Sequence, residues 1–144
     1  MFSFLLVKRP HSYRGWTQKK LLYYRDDLEK SLIKYQPDYH GFHNSDLYGI
    51  VYYFHKRPTN QDADNLSKPV WDSLQSILYR DDISIKLRIA GTFDTSQKDF
   101  QKLDVTGLPP DVIDDLTSAI SSEDHVVYVE CGRMRNDLFR FNIE

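Results

Sequence analysis

The stretch LYGIVYYF, residues 47 to 54, constrains the fold more than any other part of the sequence. Its apolar side chains occupy both odd and even positions, whereas a strand with one wet face alternates apolar and polar residues. We therefore predict a central strand with other elements packed on both faces of its sheet. At 144 residues the chain suits one such core, so we expect residues 1–144 to form a single domain.

One helix is predicted before this strand in the sequence, and another is predicted after it. Apolar residues at three- and four-residue spacing indicate a helix that begins after Thr17, a good N-cap residue, and ends before Pro37. Pro69 lacks an amide hydrogen, so we expect the second helix to begin no earlier than Leu66, with Ser67 as its cap. Its apolar stripe continues to residue 78.

The remaining apolar patterns complete the fold prediction. Residues 83–91 alternate, which indicates a strand with one face open to water or a ligand. The apolar side chains expected to point inward from that strand are Ile83, Ile85, Leu87 and Ile89. A strand over residues 2–7, a helix from Pro110 and a last strand from His125 are also predicted. These elements indicate an α+β fold, a mixed sheet of about four strands with helices packed on it.

Composition and charge narrow the possible classes of protein. Cys131 is the single cysteine, which excludes an intramolecular disulfide and a cysteine-based zinc site. The apolar start is too short for a signal peptide and no segment is long enough for a membrane span, so we expect a cytoplasmic protein. Residues 1–60 carry 10 Lys and Arg against 5 Asp and Glu, a net +5, and residues 61–144 carry 9 against 16, a net −7.

The acidic segment NQDADNLSKPVWDSLQSILYRDD, residues 60 to 82, is the candidate for chemistry. Asp62 and Asp64 are one residue apart, so in an extended chain they point to the same side. Asp81 and Asp82 precede the next predicted strand. Crowded carboxylates repel one another unless a cation is bound, and oxygen ligands without His or Cys favour Mg²⁺ or Mn²⁺. The alternative is that all four are solvated turn and cap residues.

The pattern D-x-D-N-L-x-K, then D-x-L, then D-D before an alternating strand resembles the RusA family of Holliday junction resolvases. These are small homodimeric Mg²⁺-dependent endonucleases of bacteria, phages and prophages that act in DNA recombination and repair. The chain meets nine positions of the pattern: Asp62, Asp64, Asn65, Leu66, Lys68, Asp72, Leu74, Asp81 and Asp82. One departure is Pro69, directly after the lysine, and the tight match covers only residues 62–82.

The resemblance implies a role for each matched residue. Asp62, Asp64 and Asp82 would bind Mg²⁺, with Mn²⁺ as an alternative, and Asp81 would support that metal site. The metal would generate a hydroxide and stabilise the charge on the attacked phosphate and the leaving 3′ oxygen. Lys68 would stand beside the phosphate as a fixed positive charge. Its alternative role is an i, i+4 ion pair with Asp72 on the same helix.

The partner that the resemblance implies is branched DNA, a four-way junction, cut by a homodimer with two equivalent sites. Two rivals stay open: a metal-dependent nuclease for other branched or single-stranded DNA, and a junction-binding protein without catalysis. The candidate phosphate contacts are Arg14, Lys19, Lys20, Lys56, Arg57, Arg80, Lys86 and Arg88.

A geometric difficulty accompanies the metal site. If the strands over residues 47–54 and 83–91 are parallel neighbours joined by a helix, Asp62 and Asp64 lie at one end of the sheet and Asp82 at the other. We expect the strands not to be simple parallel neighbours. The alternative is that Asp82 of one subunit completes the site of its twofold mate.

Overall fold

A computed structural model describes residues 1–10, 17–41, 45–57, 59, 62–75, 77–79, 84–97 and 103–138 of the protein. Its helices and strands, in chain order, are β1 (Phe2–Leu6), α1 (Gln18–Tyr35), β2 (Leu47–His55), α2 (Ala63–Leu74), β3 (Ile85–Asp94), α3 (Pro110–Ser122) and β4 (His125–Arg133). A short 3-10 helix, Asn136–Leu138, follows β4. Among the helices described, none is both long and apolar enough to cross a membrane.

The four strands form one mixed sheet in the order β1-β4-β2-β3. β4 runs antiparallel to both β1 and β2, and β3 runs parallel to β2. The predicted α+β fold with a mixed four-stranded sheet is therefore confirmed, and β2 is central as its two-sided apolar pattern predicted. The expectation that β2 and β3 are not simple parallel neighbours is wrong, because their backbones pair directly from Leu47 to His55.

Helices cover the two faces of the sheet unequally. The larger core lies between the sheet and helices α1 and α2, and the smaller one lies under α3 on the opposite face. The larger core contains Phe4, Tyr24, Leu28, Leu32, Leu47, Val51, Tyr53, Val70, Trp71, Val127 and Val129. The smaller core contains Leu5, Phe54, Val112, Leu116, Ala119, Val126 and Tyr128. Trp71 packs against Gly49, which fixes α2 over β2.

The first and third helices begin where the sequence predicted. Thr17 has extended backbone angles and its side-chain oxygen accepts a hydrogen bond from the backbone N–H of Lys20, as an N-cap residue does. Pro110 opens α3, where a residue without an N–H costs no helical hydrogen bond. β4 begins at His125, also as predicted.

The second helix corrects the prediction drawn from Pro69. α2 begins at Ala63 rather than near Ser67, and Asp62 is its N-cap. The Asp62 carboxylate accepts the backbone N–H of Asn65 at 2.8 Å, which initiates the helix one turn earlier. Pro69 then lies inside the helix, where its ring is buried and only one helical hydrogen bond is lost. The helix ends at Leu74, earlier than its apolar stripe predicted.

β3 differs from the simple alternation that its sequence predicts. Ile85 pairs with Leu47, but the register shifts by one residue so that Leu87 pairs with Tyr48. Ile85 therefore belongs to the core under α1 and α2, whereas Leu87 lies on the opposite face of the sheet. The prediction that the apolar residues of this strand share one face is wrong on this account; the predicted strand residue Ile83 lies outside the described residues.

Candidate functional site

The candidate site lies at the edge where β2 and β3 end and β4 begins. His55 is the last residue of β2 and pairs with Asp94 of β3 and with His125 of β4. The chain leaves β2 there and turns into α2, which runs back along the sheet. Ligands of open sheets with parallel strands commonly bind at the carboxyl ends of those strands, where loops and helix starts converge.

Asp62 is held in place by Asn65, the asparagine of the motif. One Asp62 oxygen accepts the Asn65 backbone N–H at 2.8 Å, and the other accepts the Asn65 side-chain amide at 2.9 Å. A carboxylate has about four acceptor sites, so each oxygen keeps a lone pair that faces solvent. Asp62 and Asp64 are both exposed. They are not on one extended segment, as the sequence indicated, because Asp64 already lies in the first turn of α2.

The start of α2 stabilises two neighbouring carboxylates. The unpaired N–H groups of a helix N-terminus carry a partial positive charge that offsets the repulsion between Asp62 and Asp64. The cap formed by Asp62 and the position of Asp64 in the first turn are consistent with the alternative interpretation, in which neither residue binds a metal. The same two carboxylates, exposed and composed only of oxygen donors, also fit Mg²⁺, which commonly binds one or two carboxylates together with water and substrate phosphates.

The rest of the predicted metal site lies outside the described residues. Asp81 and Asp82 both belong to the undescribed range 80–83, so the structure does not describe their distance to Asp62. Within the described part of the chain, no three His, Cys, Asp or Glu side chains are grouped closely enough to hold a metal ion. A third protein ligand for Mg²⁺ would therefore have to come from outside the described residues.

Lys68 lies on the same face of α2 as Asp64 and Asp72, because residues four apart on a helix are neighbours. Its Nζ donates to both oxygens of Asp72, at 2.9 and 3.3 Å. The lysine side chain is 48% exposed and the aspartate 32%. The ion pair that the sequence offered as an alternative role is therefore formed, and the Lys68 side chain stays partly exposed to solvent.

The loop between β2 and α2 carries two of the predicted phosphate contacts, and both are engaged. The Lys56 ammonium donates to the carbonyl oxygen of Ser121 at the end of α3. Arg57 Nε lies 3.0 Å from a carboxylate oxygen of Asp124, although the arginine side chain is 74% exposed. Both cations precede Asp62 on the same loop, so this edge of the sheet combines positive charge with the two carboxylates.

The other predicted phosphate contacts are dispersed. Lys86 lies near the start of β3, at the opposite end from His55, and its Nζ is 3.9 Å from Asp46. Arg88 is exposed on the same strand. Lys19 lies over the ring of Tyr23, and Lys20 is exposed in the first turn of α1. Arg14 and Arg80 lie outside the described residues.

Sequence reasoning missed a polar cluster at this edge. The hydroxyl of Tyr53, a buried residue of β2, hydrogen-bonds Nδ1 of His125 at 2.7 Å. Burial raises the pKa of Tyr53, and a hydrogen bond from the Thr59 side chain and the positive charge of Arg9 act in the opposite direction. Tyr53 sits inside an apolar run and His125 at a predicted strand start, so nothing in the local pattern distinguished them from core residues.

Comparison with known proteins assigns no family to the chain. It matches none of the known protein-family models, and no curated protein is significantly similar to it in sequence. The resemblance to the resolvases accordingly rests on the motif of residues 62–82, with looser support from the leading strand-helix-strand order.

Proposed function

We propose that the protein is a Mg²⁺-dependent endodeoxyribonuclease that cuts branched DNA, with the four-way junction as its preferred substrate. The observation that carries the proposal is the arrangement at the start of α2. Asp62 is the N-cap residue of α2. Asp64 and Lys68 follow on one exposed face of the helix, near the carboxyl end of β2. Carboxylates for a metal and a cation for a phosphate are the groups that phosphodiester cleavage requires.

Each residue has a distinct task in this proposal. Asp62 and Asp64 would hold Mg²⁺, and Asn65 orients the Asp62 carboxylate through two hydrogen bonds. The metal, when bound, would activate water and offset the charge developing on the phosphate. Lys68 would contact a phosphate oxygen, while Asp72 limits the positions that its side chain can adopt. Lys56 and Arg57 would contact the DNA backbone beside the cut.

A homodimer follows from the chemistry of resolution, since a junction must be cut in two symmetric strands. The pairing of the strands favours sites shared between subunits. Ile85 of β3 pairs with Leu47 at the start of β2, so the chain enters β3 at the end of the sheet opposite to His55. Asp62 and Asp64 belong to the helix start, which lies about 12 Å beyond Trp71 in the direction of the other end of β2. Asp82 would then complete the site of the partner.

The test of the function compares a labelled four-way junction with a linear duplex of the same sequence. Purified protein and the variant Asp64→Asn are incubated with each DNA in Mg²⁺, Mn²⁺ or EDTA. Paired symmetric nicks in the junction alone, abolished by EDTA and by the substitution, are expected. Cleavage of flaps or single strands in preference to the junction would favour another nuclease specificity. Tight junction binding without cuts in either metal would instead favour a binding protein.

A heterodimer distinguishes shared from self-contained sites. One subunit carries Asp64→Asn and the other Asp82→Asn, and the mixed dimer is isolated with two affinity tags. Sites shared between subunits leave one site with both aspartates intact, so single nicks in the junction are expected. Complete loss of cleavage in the mixed dimer would show that each subunit builds its own site.

A further inference from the structure

A hydrogen bond and an ion pair join the first residues of the loop between β2 and Asp62 to Asp124, the residue before β4. The Lys56 backbone N–H donates to the Asp124 carbonyl oxygen at 3.1 Å, and Arg57 pairs with the Asp124 carboxylate. His55 Nδ1 donates to the Arg57 carbonyl oxygen at 2.8 Å, which closes a tight turn. Loops that carry ligands are positioned by the rigid elements to which they are tied, and here that element is β4.

Tyr53 extends this attachment to Thr59. Its ring stacks on His125 at 22° with centroids 6.0 Å apart, and its hydroxyl hydrogen-bonds His125 Nδ1. The side chain of Thr59 hydrogen-bonds the same hydroxyl. A phenol hydroxyl has one hydrogen and two lone pairs, so it satisfies both neighbours at once. A buried strand residue thereby holds the loop three residues before Asp62.

We propose that Tyr53, His125 and Thr59 are positioning residues that place the Asp62 and Asp64 carboxylates for a divalent cation. The inference rests on the proposed function, because it assigns a metal to those carboxylates. Metal sites tolerate displacements of only about 0.5 Å, so a ligand carried by a loose loop binds weakly. The buried tyrosine would therefore act on metal affinity without touching metal or DNA.

Thr59→Val gives the sharpest test, because it removes the hydroxyl, preserves the shape of a half-exposed loop residue and leaves the Tyr53–His125 pair intact. Thr59→Ser restores the hydroxyl. Tyr53→Phe removes the central group, and Tyr52→Phe is the matched control on the opposite face of β2. For each protein the Mg²⁺ concentration at half-maximal junction cleavage and the rate at saturating Mg²⁺ are measured, with the melting temperature as a check of folding.

Thr59→Val and Tyr53→Phe are expected to raise the half-maximal Mg²⁺ concentration about tenfold or more, as loss of a supporting residue does in other metal sites. The rate at saturating Mg²⁺ should change much less. Thr59→Ser and Tyr52→Phe should match the wild type. Equal Mg²⁺ dependence in Thr59→Val and the wild type would overturn the inference, as would an equal loss in Thr59→Ser.

A direct measurement of metal binding tests this inference independently of the proposed nuclease activity. Mn²⁺ binding to the DNA-free protein is measured by electron paramagnetic resonance for the same four variants. If the wild type binds Mn²⁺ but cuts no DNA, the nuclease proposal fails and the positioning inference is decided by the weaker Mn²⁺ binding of Thr59→Val. Absence of Mn²⁺ binding to the wild type, with no metal-dependent cleavage, would overturn both.

Discussion

The ammonium nitrogen of Lys68 lies 2.9 Å from Oδ2 of Asp72, so the motif lysine has an ion-pair partner on its own helix. The pair is largely solvated, and an exposed pair of this kind contributes at most about 1 kcal/mol to stability. A contact of such small energy contributes little to the stability of the fold, so the proposed role of Lys68 does not depend on it. It does hold the positive charge on the same helix face as Asp64, where a phosphate bound through Mg²⁺ would lie.

Lys68→Met should strongly reduce the proposed junction cleavage without unfolding the protein. The variant keeps the aliphatic stem and removes the charge, so junction cleavage is expected to fall about hundredfold or more. The free energy of unfolding should change by less than about 1 kcal/mol. Single-turnover cleavage and urea unfolding measure the two effects. The control is Asp72→Asn, which removes only the partner and should reduce cleavage far less; equal losses in both variants would mean that the ion pair itself matters.

The two roles of Asp62 can be separated by substitution. Asparagine caps a helix as well as aspartate does but binds Mg²⁺ poorly, so Asp62→Asn should preserve the melting temperature and abolish cleavage. Asp62→Ala should lose both, with a cost of about 1 kcal/mol for the missing cap. Thermal unfolding and Mg²⁺-dependent cleavage of the two variants check this. Wild-type cleavage by Asp62→Asn would reduce Asp62 to a capping residue.

Because α2 packs closely on β2, we predict that replacing Gly49 by a larger residue lowers the stability of the protein. A Cβ atom there would lie 2.7 Å from Cη2 of Trp71, whose ring is fully buried and has no space to move. Gly49→Ala is therefore expected to lower the free energy of unfolding by about 1–3 kcal/mol. Gly91→Ala is the matched control, since its Cβ would meet the ring of Phe93, which is 38% exposed rather than fully buried. Urea unfolding of both variants decides the comparison.

The buried thiol of Cys131 predicts a loss of stability in alkali. Burial raises the pKa of Cys131 from 9.0 to about 12, so the unfolded chain releases this proton at lower pH than the folded protein does. Its contribution to stability is fully present below pH 9.0 and is lost as the pH rises toward about 12. Thermal unfolding of the wild type and Cys131→Ala should diverge over that range. Iodoacetamide should label Cys131 slowly in the native protein and rapidly in urea; fast native labelling would contradict the burial.

Local sequence patterns were sufficient to predict a helix or strand where the side chains of that element decide its conformation. The two-sided apolar run of residues 47–54 indicated a central strand, and β2 is buried between β3 and β4. Thr17 and Pro110 marked the starts of α1 and α3 because capping and proline effects act within one turn. The motif of residues 62–82 likewise groups Asp62, Asp64 and Lys68, which lie together in the first part of α2 and at its N-cap.

The helix α2 was predicted, but competition between the Asp62 cap and Pro69 gave a wrong start for it. Proline normally excludes a helix start upstream, but the Asp62 cap and the burial of Leu66, Pro69 and Trp71 against the sheet outweigh the single lost hydrogen bond. The cost of one backbone bond is local, whereas the apolar burial that compensates for it depends on strands far away in the sequence.

By itself, the sequence determined the α+β class, the central strand and the carboxylates and lysine proposed for catalysis, because these follow from side-chain chemistry and short-range periodicity. Only the tertiary structure decided that β2 and β3 are parallel neighbours, that Ile85 and Leu87 lie on opposite faces of the sheet, and that the Tyr53 hydroxyl hydrogen-bonds His125. Those relations join residues up to 72 positions apart. They arise from strand register and helix packing, which no local pattern encodes.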